Sequence, residues 1–264
     1  EKKILRAIQK PNGMILSTGP TGSGKTTTLY SVLKLLNTKE VSIVTIEDPI
    51  EYAVEGITQI QINPRSGLTF ANGLRSILRQ DPNIIMVGEI SDTETASIAV
   101  NTALTGHLLL STLHTSDAAT TLPRLLDMGV DPYLVASTVQ LAIGQRLVRR
   151  LCASCKQETK LTEAESLIFE ESMPKDAISK LATFYKSVGC KECAHTGYKG
   201  RIGINEVLVV EREVRDAILH KAPATQIREL AIKNGMTSMF VDGAIKASQG
   251  LTTIAELLRT IPNE

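Results

Sequence analysis

Gly19-Pro20-Thr21-Gly22-Ser23-Gly24-Lys25-Thr26 satisfies the pattern G-x-x-x-x-G-K-[ST] at every fixed position. Its setting makes it decisive. Met14 to Thr18, just before it, is an apolar strand candidate, and Leu29, Val32, Leu33 and Leu36 behind it recur at helical spacing. A glycine-rich turn between strand and helix lets successive backbone N–H groups converge on an anion, and the positive end of the helix faces the same point. Lys25 is then placed to reach β- and γ-phosphates, and the Thr26 hydroxyl to ligate Mg²⁺. These eight residues predict a phosphate loop at the strand-to-helix turn of an α/β domain.

Working outward, strand and helix patterns alternate. Val41 to Ile46 and Ile84 to Val87 read as buried strands, Thr93 to Leu104 as helix and Leu108 to Thr112 as strand. Ser116 to Met128 reads as a helix with Ser116 as its N-cap. Alternation of this kind predicts a mainly parallel sheet covered on both faces. From about Leu151 the character changes. Two Cys pairs bracket a polar, charged stretch with no strong strand pattern. One short apolar piece follows, Ile202 to Val210, and then helices carrying Val214, Ile218, Ile227, Leu230 and Ile232. A last helix is expected near Thr253, where Thr253-x-x-Glu256 has the form of a capping box. No repeat and no low-complexity linker interrupts the chain.

Composition narrows the function. The 264 residues are 42% hydrophobic, enough for a sizeable core. Lys plus Arg number 29 against 28 Asp plus Glu, a net charge of +1, and aromatics make up only 3% with no Trp. A nucleic-acid partner is therefore not expected, because it would want a basic surface or stacking aromatics. No apolar run approaches the ~20 residues needed to span a bilayer, and Glu1-Lys2-Lys3 does not open a secretory leader. The chain reads as cytoplasmic and peripheral to any membrane it serves; its first residue, Glu1, reads as a cut from something longer.

A phosphate loop needs acidic groups at neighbouring strand tips, the edge where α/β ligands bind. Ile84-Ile85-Met86-Val87-Gly88-Glu89 ends in Glu89, and Glu47-Asp48-Pro49-Ile50-Glu51 follows the strand ending at Ile46. His107 and His114 flank the strand Leu108 to Thr112. Alone, each would be an ordinary cap or solvated residue; proximity to the loop is what raises them. Cys152, Cys155, Cys190 and Cys193 form two C-x-x-C knuckles with 34 residues between them. In a reducing compartment these favour a closed, structural Zn²⁺ site over disulfides, with free thiols or a redox pair as the alternative and His195 as a substitute ligand.

Taken together, these segments resemble the secretion ATPase superfamily, specifically the assembly ATPases of type II secretion and type IV pilus systems. The resemblance rests on Gly19 to Thr28 (GPTGSGKTTT), Glu47 to Glu51 (EDPIE, an aspartate box), Gly67 to Phe70 (GLTF) and Leu74 to Pro82 (LRSILRQDP). It continues through Met86 to Glu89 (MVGE, an atypical Walker B), Thr105 to Asp117 (TGHLLLSTLHTSD, a histidine box) and Gln145 to Cys155 (QRLVRRLCASC). The resemblance implies that residues Gly19 to Thr27 bind ATP with Mg²⁺. It implies that Glu89 activates water or holds the metal shell, that Glu47, Asp48 and Glu51 order metal and water, and that His107 or His114 senses the γ-phosphate. The division of labour between Glu47 and Glu89 stays open. Where the family reads G-E-I-R-D, this chain has Ser91 in place of Arg, and no role passes to Ser91. Arg75 and Arg79, four apart, share a helix face; on spacing alone they read as a solvated basic face, and the resemblance implies that one of them contacts phosphate or a neighbouring subunit.

The expected architecture is a RecA-like P-loop core over residues 1–150, a tetracysteine zinc-binding insert over 151–196 and a helical C-terminal region over 197–264. A preceding nucleotide-covering domain that supplies arginines in trans is expected to lie outside this chain. The resemblance further implies a homo-hexamer that pushes on an inner-membrane platform protein from the cytoplasmic side. A pilus-retraction motor is disfavoured by the four cysteines and a nucleic-acid translocase by charge and composition. A nucleotide-binding scaffold without hydrolysis is the third rival.

Overall fold

The structure, a computed structural model, describes residues 2–173, 181 and 183–261. Helix α1 (Lys2–Ala7) leads to strand β1 (Gly13–Thr18), the phosphate loop and α2 (Lys25–Leu36). Then come β2 (Ile43–Glu47), β3 (Thr58–Gln61), α3 (Phe70–Ile77), β4 (Ile84–Val87), α4 (Thr93–Leu104) and β5 (Leu108–Leu113). After α5 (Thr121–Asp127) and α6 (Pro132–Thr138) runs the long strand β6 (Val139–Leu151). The sheet order is β3-β2-β4-β5-β1-β6, with β9 (Tyr198–Val209) outermost beyond β6. β1 pairs in parallel with β5 and β6, β4 with β5 and β2, and β2 with β3. The fold is α/β with a mainly parallel sheet, as the alternation predicts.

β1, β2, β4 and β5 are buried on both faces, so they read as largely continuous apolar runs. Period-two alternation still sorts the side chains. Met14, Leu16, Ile85 and Val87 pack with Leu74 and Ile77 of α3 and Ala99 and Val100 of α4. Ile15, Ile84 and Met86 pack on the other side with Ala7 of α1 and Leu29 and Leu33 of α2. Each Leu, Ile, Val or Met among them, once fully buried, contributes ~1.5–3 kcal/mol.

The described residues divide into two compact units. One takes the residues up to Thr21, Lys25–Gly144 and Val207–Met236; the other takes Gly22–Gly24, Gln145–Glu206 and the residues from Thr237 onward. The C-terminal stretch expected from residue 197 onward is thus shared out. Its α8 (Arg212–Leu219) and α9 (Ala224–Lys233) give Val214, Ile218 and Ile227 to the core of the first unit. The second unit has its own core of Val148, Phe169, Phe184, Ile204, Met239 and Leu257. Two short strands, β7 (Gln157–Thr159) and β8 (Phe184–Lys186), form an antiparallel ladder there, between the Cys pairs. Between them α7 (Glu163–Ser172) opens with a complete Thr162–Glu165 capping box. The edge-to-face rings of Phe169 and Phe184, 5.4 Å apart, tie helix to ladder. α10 (Met239–Ser248) and α11 (Ile254–Thr260) complete the unit.

Two expected helix starts come out differently. α5 begins at Thr121, not at Ser116, because Pro123 cannot donate to a preceding turn and is tolerated only in the first one. Ser116 Oγ instead donates to the Asp117 carboxylate, which in turn accepts the Thr120 N–H. At α11, Thr253 does accept the Glu256 N–H, but the Glu256 carboxylate does not close the box. It is buried and pairs with Arg149 at 2.5 Å and Arg259 at 2.8 Å. Burial would raise its pKa; the hydrogen bonds from the two arginines outweigh this and bring it to about 2. Among the described residues no helix is long and apolar enough to cross a membrane.

Candidate functional site

The turn from β1 to α2 carries left-handed glycines at Gly22 and Gly24, with φ of 76° and 89°. Gly24 also lacks room for a side chain, since a Cβ there would lie 2.8 Å from Gln145 Nε2. That amide donates 2.9 Å to the Ser23 carbonyl and fixes the loop from behind. Gly19 and Ser23 are buried, while Pro20, Thr21, Gly22 and Thr27 are exposed and Thr26 is half-buried. Lys25 is buried with its ammonium folded into the loop, donating to the carbonyls of Gly19 at 2.8 Å and Pro20 at 3.1 Å. Desolvation lowers the Lys25 pKa, and the negative charge of Glu89 works against that shift.

Because β1, β2, β4 and β5 are parallel, their finishing ends share one edge, and the loop, Glu47, Glu89 and His114 all lie along it. The half-buried Glu89 accepts a hydrogen bond at 3.0 Å from His114 Nε2. His107 is not brought there. Gly13 stands opposite Leu108 and Thr18 opposite Leu113, so His107 lies beyond the starting end of β5, roughly 20 Å from His114 by strand rise. Its ring sits 3.3 Å from the Thr102 carbonyl. Geometry therefore separates the two histidines that sequence left equivalent.

The acidic segment also divides. Asp48 and Glu51 are exposed, whereas Glu47 is 2% exposed. Its carboxylate accepts from Tyr30 Oη at 2.5 Å, Thr45 Oγ1 at 2.5 Å and Gln59 Nε2 at 3.2 Å. Burial and the neighbouring Glu47 charge raise the Tyr30 pKa, so its hydroxyl stays protonated. Ser91 is exposed, and Asp92 caps α4 by accepting the Thr95 N–H at 2.8 Å. Arg75 is engaged with Glu94 at 2.7 Å, and Arg79 with the Arg75 carbonyl and Ser76.

Sequence reading passed over two groups. One is Tyr30, four residues after Thr26 and so on the same helix face; only a search for buried polar tips on α2 would have flagged it. The other is Asp117, buried after His114, which pairs with Arg228 at 2.9 Å. Burial raises its pKa, but the Thr120 N–H, the Ser116 hydroxyl and Arg228 together lower it below the usual value. It pins a loop whose Thr115 also bonds Thr18, the last residue of β1.

The four cysteines converge. Their sulfurs lie within 4.8 Å of one another and could hold a metal ion. Cys152 to Cys190 is 3.9 Å, Cys155 to Cys193 is 3.8 Å and Cys190 to Cys193 is 3.7 Å. A tetrahedron of ~2.3 Å metal–sulfur bonds has edges of ~3.8 Å, so the thiols fit. Burial raises the Cys193 thiol, yet N–H groups of Cys190 and Gly197 outweigh it and bring it down to about 6. Gly189, at φ 102°, is forced by the close approach of the His195 carbonyl, 2.6 Å from where a Cβ would sit. His195 is exposed and does not join the cluster.

Comparison with known proteins agrees with this geometry. A family model described as type II/IV secretion system protein matches residues 1–259. The type IV pilus assembly ATPase PilB of Thermus thermophilus is 50% identical over 98% of this chain, which covers 29% of that protein. The type II secretion system protein E of Aeromonas hydrophila is 47% identical over 97% of this chain, covering 50% of its own length. The chain thus spans half or less of these two relatives. The solved structure of the pilus retraction motor PilT with bound ADP superposes with a TM-score of 0.73 at 27% identity, over 100% of this chain and 65% of that one. A match of that extent, with identity near one half over nearly every residue, places this chain in the family of type II/IV secretion system proteins.

Proposed function

We propose that this chain hydrolyses ATP to drive assembly of a type IV pilus or a type II secretion pseudopilus. It would work as a homo-hexamer on the cytoplasmic face of the inner membrane, against a platform protein embedded there. The observation that carries the reading is Glu89 held by His114 at 3.0 Å, on the strand edge that also bears Lys25.

Residues Gly19 to Thr27 would bind the phosphates, backbone N–H groups and the Lys25 ammonium taking the β- and γ-oxygens in exchange for the loop carbonyls. The half-buried Thr26 hydroxyl would be the protein's ligand for Mg²⁺, which would supply charge neutralisation at the phosphates. Glu89 takes the proton of the attacking water. His114 orients that carboxylate and reads the γ-phosphate; His107, at the other edge, is left out. Asp48 and Glu51, exposed, order the hydrated side of the site. The core over residues 1–150 would carry this chemistry. The tetracysteine insert over 151–196 would hold Zn²⁺ as a closed structural site, and this cluster favours assembly over retraction.

Steady-state ATP hydrolysis by the chain and by Glu89→Gln tests the reading. A loss of at least ~100-fold with nucleotide binding kept is expected for a general base. Equal rates in the two proteins would refute it.

A further inference from the structure

Helix α2 carries two hydroxyls one turn apart on the same face, Thr26 at its start and Tyr30 behind it. Tyr30 is 1% exposed, and its ring meets Tyr52 edge-on at 4.8 Å. Its hydroxyl grips one oxygen of Glu47, while Thr45 and Gln59 occupy the other. Gln59 Oε1 in turn accepts the Val54 N–H at 2.7 Å, anchoring the segment that carries Asp48 and Glu51. Among the described residues Glu47 has no ion pair, so a buried negative charge is held by neutral donors alone. Such a charge is costly to bury, and apolar packing would stabilise this corner better.

We propose that Tyr30 is a positioning residue for hydrolysis, acting through Glu47 to set the acidic segment against the helix that begins with Lys25 and Thr26. This rests on the reading of the site given above. On this proposal the two glutamates divide the work: Glu47, 2% exposed, has a hydrogen bond at each oxygen, and the half-buried Glu89 is the carboxylate that meets water. Glu47 then acts by where it is held.

The test compares ATP hydrolysis and ADP binding in the full chain with Tyr30→Phe, Glu47→Gln and the double variant. Phe keeps the ring and removes only the hydroxyl. Loss of a hydrogen bond to a charged acceptor should lower kcat about tenfold, with KM for ATP and the Kd for ADP held within about twofold. The double variant should be scarcely slower than Glu47→Gln, because Glu47 takes the one bond that the hydroxyl donates, while the Gln59 amide and the Glu51 N–H only donate to it. Should Tyr30→Phe fail to fold, Thr45→Val probes the same carboxylate from its second oxygen, with the same pattern expected.

Effects that multiply in the double variant would overturn the inference. So would an unchanged kcat, or weakened ADP binding at constant kcat, which would make Tyr30 a packing residue of the cradle. A chain that hydrolyses nothing sinks the proposed function and this inference with it. An active chain with multiplying effects sinks this inference alone.

Discussion

Glu256 offers a quantitative test of the second unit. Its buried carboxylate binds Arg149 through the guanidinium and through the backbone N–H, and Arg259 through two nitrogens. Folding lowers its pKa from 4.5 to about 2, which corresponds to ~3 kcal/mol favouring the charged form. The arginine side chains are 49% and 60% exposed, and solvent screening trims the contribution to ~2 kcal/mol. Because the folded-state pKa is depressed, this stability is fully present above about pH 4.5 and drains away as pH falls toward 2. Glu256→Gln keeps the shape and removes the charge. Urea unfolding followed by far-ultraviolet circular dichroism should show the variant ~2 kcal/mol less stable at pH 7, the gap closing to near zero by pH 2. A gap that stays constant across that window would show that the two arginines do not hold the carboxylate, and no gap at pH 7 would show the pair to be idle.

Gly24→Ala forces a side chain into a left-handed backbone and against Gln145, breaking its bond to the Ser23 carbonyl. Strain of ~1–2 kcal/mol should weaken ADP binding about tenfold or more by calorimetry, and unchanged affinity would remove the Gln145 brace from the account. The purified chain should contain one equivalent of zinc by elemental analysis. Its removal by chelator should lower the melting temperature by several degrees, restored by added Zn²⁺ or Cd²⁺; a metal-free chain of unchanged stability would rule out a structural site.

How much of this was legible depended on whether the determinant was local. The phosphate loop is one contiguous motif, and β4 and α4 fall at the residues the pattern indicates, Ile84–Val87 and Thr93–Leu104. β3 escaped because Thr58-Gln59-Ile60-Gln61 is polar and half-exposed at the sheet edge, where no apolar run is required. β6 escaped because its apolar start gives way to Gln145, Arg146, Arg149 and Arg150, so no single period spans it. The roles of Tyr30 and Asp117 could not be read at all. Their partners, Glu47 and Arg228, lie far along the chain and meet them only through the tertiary fold. Glu256 was misread for the opposite reason: a local motif promised a local bond, and a stronger long-range pair with Arg149 displaced it.

The double burial of the central sheet has a practical consequence for anyone placing probes or substitutions. β1, β4 and β5 have no outward side, so every position along them reports on one of two separate interiors. A change at Ile15 or Met86 is felt by α1 and α2, and so by the helix bearing Lys25; its neighbours Leu16 or Val87 answer to α3 and α4 instead. Adjacent residues in one strand thus belong to different neighbourhoods, and moving a label by a single position changes the helix layer that it hears.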